Sequence, residues 1–174
     1  LIIMSLMNGG FRLLLGDSNK DFDMATEINS KHSLVSRAPS ELYMAFTDMR
    51  NFVNFLPEDK KASVQADYDS LSATVQGFSI GVKITERVPY SRIEMVDNGA
   101  PFAFHIVLYF DPATDAAKTD FHILLEAELN LMMKMVLGSK LQEMLDKIVD
   151  GLSAVSEGKM PEGVDPDMIK NFKK

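Results

Sequence analysis

The chain has 174 residues, 46% hydrophobic and 25% charged, a balance that supports one domain with a buried core and excludes a chain disordered throughout. It has no cysteine, which rules out disulfides, a thiolate nucleophile and zinc–thiolate sites, and its three histidines argue against a histidine-rich metal centre. A formal charge of −7 is the opposite of a nucleic-acid-binding footprint.

Leu1 to Gly16 is apolar but broken by Asn8-Gly9-Gly10 and Arg12, with no run near the ~18 residues of a membrane span. No positive charge precedes the apolar stretch, as a secretory signal would require. Residues 1–23 are expected to be a leader outside the fold, with Met24 as the working start. An amphipathic anchor or an atypical export signal is the alternative.

Residues 27–36 alternate weakly, with Ile28, Ser30, His32 and Leu34 on one parity, and predict a first strand. Pro39 and Glu41 suit a first helical turn, followed by Leu42, Tyr43, Phe46 and Met49 at helical spacing. Asp48 is placed to cap a second short helix with Phe52, Phe55 and Leu56 as its apolar face, stopped at Pro57. Glu58 to Lys61 reads as a solvated connection.

Six strand-like stretches follow, at about 62–68, 71–75, 79–88, 92–97, 102–110 and 118–130. Asp69-Ser70, Gly77, Pro89-Tyr90-Ser91, Asn98-Gly99 and Asp111-Pro112 separate them. Such short connections require antiparallel pairing. Phe104, Ile106, Leu108 and Phe110 share one parity, as do Ile123, Leu125 and Ala127; His105, His122 and Tyr109 take the other and are expected outside. Glu126 and Glu128 read as surface charge.

Residues 131–157 predict one long helix. Met133, Val136, Leu137, Leu141, Met144, Leu145, Ile148, Leu152 and Val155 recur at helical spacing, opposite Lys147 and Asp150. Leu141 and Ile148 are expected inside, Lys147 and Asp150 outside. The order predicts an α+β helix-grip fold: a seven-stranded curved antiparallel sheet, two short helices after strand 1 and one long C-terminal helix. The domain is expected over residues 24–157, with a polar tail at 158–174.

The segments Ala38-Pro39-Ser40-Glu41, Phe46-Thr47-Asp48, Asn51 to Leu56 before Pro57-Glu58-Asp59-Lys60, and Glu128-Leu129-Asn130 leading into Leu141-Gln142 resemble a bacterial member of the START-like (SRPBCC) superfamily, which includes polyketide-cyclase-like and birch-pollen-allergen-like proteins. The resemblance covers about three-quarters of the chain and is structural rather than catalytic. It implies a cavity between sheet and long helix that takes an apolar or amphipathic small molecule.

On that reading the cavity wall is expected from Phe104, Ile106, Ile123, Leu125, Met133 and Val136, with Phe52 and Phe55 over the entrance. Twelve methionines, four of them at Met132, Met133, Met135 and Met144, suit either an adaptable pocket or ordinary core filling. His32 shares parity with Ile28 and is the candidate general base should the cavity be catalytic. No P-loop, GxGxxG, HExxH or GxSxG motif is present. The expected function is binding of a hydrophobic or amphipathic ligand such as a lipid, isoprenoid or polyketide-like compound, in the cytoplasm, without cofactor, metal or nucleic acid. The alternatives are a cyclase or dehydratase using the same cavity and a co-chaperone-like interaction adaptor.

Overall fold

The computed structural model describes residues 25–53, 58–75 and 78–159. The expectations for residues 1–23, for Phe55 and for the tail past residue 159 fall outside them. The elements in chain order are β1 (Ala25–Asn29), β2 (Ser33–Val35), α1 (Pro39–Phe46), α2 (Arg50–Val53), α3 (Glu58–Lys61), β3 (Val64–Ala66), β4 (Ser70–Val75), β5 (Phe78–Val88), β6 (Arg92–Asp97), β7 (Phe104–Pro112), β8 (Thr119–Glu128) and α4 (Leu131–Ser156). The strands form one antiparallel sheet in the order β1-β8-β7-β6-β5-β4-β3, with β2 also pairing with β8. This is the α+β helix-grip architecture.

Two elements differ from the sequence reading. Glu58 to Lys61 forms a short helical turn rather than an open connection. The predicted first strand is two strands, because the chain bulges between them. Asn29 pairs with Leu124, but Ser33 pairs with Phe121, so three residues on one strand oppose two on the other. Such a bulge inserts one residue and inverts the parity beyond it. Ile28 and Ser30 are buried, whereas His32 and Leu34 are exposed and Val35 takes the core position. Ser30 fastens the bulge, since its N–H donates to Ile123 O at 2.8 Å and its Oγ accepts from Ile123 N–H at 2.8 Å.

The helix ends have identifiable causes. Pro39 opens α1 where its missing N–H costs nothing, and Glu41 complements the dipole. Asn130 caps α4, its Oδ1 accepting from Met133 N–H at 2.8 Å. At the other end Gly158 adopts φ +76°, Lys159 N–H donates to Ala154 O at 2.8 Å and Gly158 N–H to Val155 O at 3.0 Å. That is the Schellman pattern, which favours glycine at the left-handed position.

The core lies on the concave face. Ile93 and Met95 of β6, Phe104, Leu108 and Phe110 of β7, and Phe121, Ile123, Leu125 and Ala127 of β8 form it with Leu42 and Tyr43 of α1 and Leu145 and Val149 of α4. Each large side chain buried this way contributes ~1.5–3 kcal/mol. Phe46, Phe110 and Phe121 form an aromatic cluster with ring centroids 5.6–5.8 Å apart, the Phe46–Phe121 pair stacked at 5.7 Å.

The facing of α4 corrects one expectation. Leu145 and Val149 are buried, Leu141 is partly buried, and Lys147 and Asp150 are exposed, but Ile148 is 46% exposed. The reason is polar. The β1–β2 bulge leaves backbone groups that need partners, and α4 turns a row of polar side chains to them. Gln142 Nε2 donates to Asn29 O at 2.7 Å, Asp146 Oδ1 accepts from Lys31 N–H at 2.7 Å, Ser153 Oγ donates to Leu34 O at 2.7 Å and Ser156 Oγ accepts from Ser36 N–H at 2.9 Å. Lys31 also pairs with Asp150. These bonds rotate Val136, Met144 and Ile148 away from the sheet.

Candidate ligand-binding groove

Because α4 rests chiefly on β1, β2 and β8, it leaves apolar surface partly open along the rest of the concave side. Leu71 of β4, Val82 of β5, Ile106 of β7, Ala100 and Phe102 of the β6–β7 connection, and Met133 and Leu141 of α4 are all partly buried against the core. Phe46 of α1 and Phe52 of α2 are also partly buried against the core, with ring centroids 5.1 Å apart. Beside this groove, on α4 itself, Met144 and Ile148 lie with Lys140, Glu143 and Lys147 around a shallow hollow of about 430 Å³.

Arg87 holds the covering helices in place. Its guanidinium donates to Thr47 O at 2.9 Å and Thr47 Oγ1 at 3.0 Å, pairs with Asp69 at 2.7 Å and lies 4.3 Å from the centroid of the Tyr68 ring. The end of α1 is thereby tied to the β3–β4 turn. Asp48 starts α2 by accepting from Arg50 N–H at 3.0 Å, and the hydrogen-bonded Arg50 guanidinium holds the Asp48 carboxyl below its usual range.

The register places one carboxylate on the concave side. Asp97 pairs across the sheet with Val82, and its Oδ1 accepts from Phe104 N–H at 3.2 Å. Asp97 follows Ile93 and Met95 at strand parity, so the sequence carried the signal that would have found it.

The expected wall is divided by the structure. Ile106, Met133 and Phe52 are each partly buried against the core, while Phe104, Ile123 and Leu125, each under 8% exposed, belong to the packed core itself. Val136 is 56% exposed and is not part of this wall; the polar fastening of α4 to the bulge turns it outward. His32 is not in the groove either. The bulge moves it to the convex face, where its ring stacks on His122 with centroids 4.0 Å apart and its Nδ1 lies 3.0 Å from Asp120 Oδ1.

His105 and His122 take the convex parity as expected, but they are not solvent-exposed. The His105 residue is fully buried, its Nε2 3.4 Å from Glu94 Oε2, and burial pushes its pKa down to about 4. Glu94, also buried, is held by Arg92 Nε at 2.7 Å, and Arg92 bridges to Glu86 at 3.0 Å. His122 stacks on Tyr109 at 4.6 Å, and its pKa is lowered by burial first and by His32 second, against the opposing pull of Asp111 and Asp120. None of the three histidines therefore faces the groove. Among the described residues no helix is long and apolar enough to cross a membrane.

No protein-family model and no curated protein matches the chain. Solved structures do. A norcoclaurine synthase point mutant from Thalictrum flavum, solved with a transition-state analogue, is similar at a TM-score of 0.60 and 12% identity over 77% of this chain and 95% of its own. The Aha1 dimer from Colwellia psychrerythraea is similar at 0.51 and 14% identity, covering 74% and 96%. A START superfamily protein from Mycobacterium smegmatis is similar at 0.50 and 14% identity, covering 72% and 98%. With its curved antiparallel sheet closed by a long C-terminal helix, the chain has the START-like (SRPBCC) fold.

Proposed function

We propose that the protein binds a hydrophobic or amphipathic small molecule along the groove between α4 and the concave sheet. The observation that carries this reading is the set of facing apolar residues left partly accessible there, with Leu71, Val82, Phe102 and Ile106 on one side and Met133 and Leu141 on the other. Removing their remaining accessible area from water supplies affinity at about 25 cal/mol per Å². Asp97 at one edge and Lys140 beside the groove are the polar groups available to orient a ligand. A lipid, isoprenoid or polyketide-like compound has the matching chemistry. The cyclase or dehydratase alternative loses its general base, since His32 stands on the other face of the sheet.

One observation favours a second reading, the interaction adaptor. Leu131, Met132 and Met135 at the start of α4 are 75–78% exposed, an apolar patch suited to a protein partner. A naphthalene-sulfonate fluorophore separates the two. Binding in the groove predicts uptake by the folded wild type that Leu141→Glu and Met133→Glu abolish and Met135→Glu leaves unchanged. Uptake lost only in Met135→Glu, or no uptake at all, overturns the groove reading, with circular dichroism confirming that each variant is folded.

A further inference from the structure

We propose that His32, Asp120 and His122 form a binding site for one divalent transition metal of the zinc class, on the convex face of the sheet at the β1–β2 bulge. Nothing in the groove reading requires it. Asp120 and His122 are two apart on β8 and therefore project from the same face. The bulge then delivers His32 to that face, opposite His122. One ligand atom from each of the three lies within 4.8 Å of the other two.

The local chemistry suits a metal better than a plain ion pair. The two imidazole rings are stacked 18° from parallel, with centroids 4.0 Å apart. Stacked in this way, the two rings present their nitrogens side by side, and the neutral imidazole is the form that ligates metals. His122 Nδ1 is buried without a hydrogen-bond partner, and Asp111 Oδ2 stands 3.7 Å from it. A buried ring nitrogen left without a hydrogen-bond partner calls for an explanation, and an ion in the site supplies one.

The donor set selects the ion. Two imidazoles and one carboxylate suit zinc and its neighbours, whereas calcium and magnesium prefer all-oxygen sites. Zinc bonds of ~2.0–2.2 Å require ligand atoms no more than ~4.4 Å apart. His32 Nδ1 and Asp120 Oδ1, at 3.0 Å, already satisfy this, and the His32 side chain, 60% exposed, is free to tilt for the remaining closure. The cluster borders a hollow of about 550 Å³ that also touches Lys118 and Asp115. Water or an anionic ligand there would fill the fourth position of a tetrahedral ion. Composition argued against a histidine-rich centre, but two histidines suffice once the bulge sets them side by side.

The test is calorimetric titration of the metal-stripped full chain with zinc chloride, read alongside imidazole NMR. The proposal expects one equivalent of zinc, shifts confined to the His32 and His122 rings with His105 unmoved, and affinity at least tenfold weaker in His32→Ala and in Asp120→Asn. Both of those side chains are exposed enough for the variants to fold, so the test does not depend on the more enclosed His122. Absence of wild-type binding overturns the proposal, as does binding that survives unchanged in His32→Ala and Asp120→Asn.

Discussion

The imidazole of His32 stacks on that of His122 across two strands, on the sheet face opposite the one that its sequence parity indicated. A single extra residue at Lys31 and His32 reverses the facing of everything up to Val35. The exposed His32 ring contributes little to packing. His32→Ala should therefore change stability by less than about 0.5 kcal/mol, the usual scale for surface substitutions. Denaturant melts of wild type and variant check this, and a larger loss would mean that the stack holds the bulge together.

The facing of α4 predicts a contrast between close neighbours. Leu145→Ala should cost ~2–5 kcal/mol because the residue is 2% exposed in the core. Ile148→Ala, at 46% exposure, should cost less than about 1 kcal/mol. Chemical unfolding of both variants measures the difference. Equal costs would place the helix in a different rotation.

Gly81 marks a close approach between strands. A Cβ there would stand 2.4 Å from the backbone oxygen of Asn98, whose N–H already donates to Gly81 O at 2.8 Å. Gly81→Ala must push backbone against backbone, and a loss of ~1–3 kcal/mol is expected, as for overpacking elsewhere. A thermal melt unchanged from wild type would show that β5 and β6 separate there at no cost.

His105 makes stability depend on pH in a definite direction. Its pKa falls from 6.5 to about 4 on folding, so between those values the unfolded chain binds the additional proton. Stability rises with pH wherever the unfolded state binds more protons. This contribution is therefore fully present above about pH 6.5 and is lost as pH falls toward 4, amounting to about 3 kcal/mol over the window. His105→Leu should flatten the unfolding free energy between pH 4 and 6.5. A variant profile parallel to the wild type would assign the acid sensitivity to other groups.

Sequence patterning carried the long helix and the succession of strands from β3 to β8, because period 2 and period 3.6 are local properties. It did not carry the bulge. Ile28, Ser30, His32 and Leu34 alternate without interruption, and the added residue is visible only in the pairing with β8. The rotation of α4 was hidden for a related reason. Its apolar positions span more than one face, and the choice among them rests on Gln142, Asp146, Ser153 and Ser156 meeting backbone groups more than 110 residues away. Val136 and Ile148 were misplaced with it. His105 followed the expected parity, yet parity names a face and does not say how enclosed that face is.

The proposed function places an apolar ligand between α4 and the concave sheet. Methyl NMR of the full chain, titrated with a naphthalene sulfonate, reads that placement at single residues. Binding in the groove predicts saturable shifts at Leu71, Val82, Ile106, Met133 and Leu141, with the methyls of Val107 and Leu124 on the convex face unmoved. Shifts confined to Leu131, Met132 and Met135, or no saturable shift in any methyl, would contradict it.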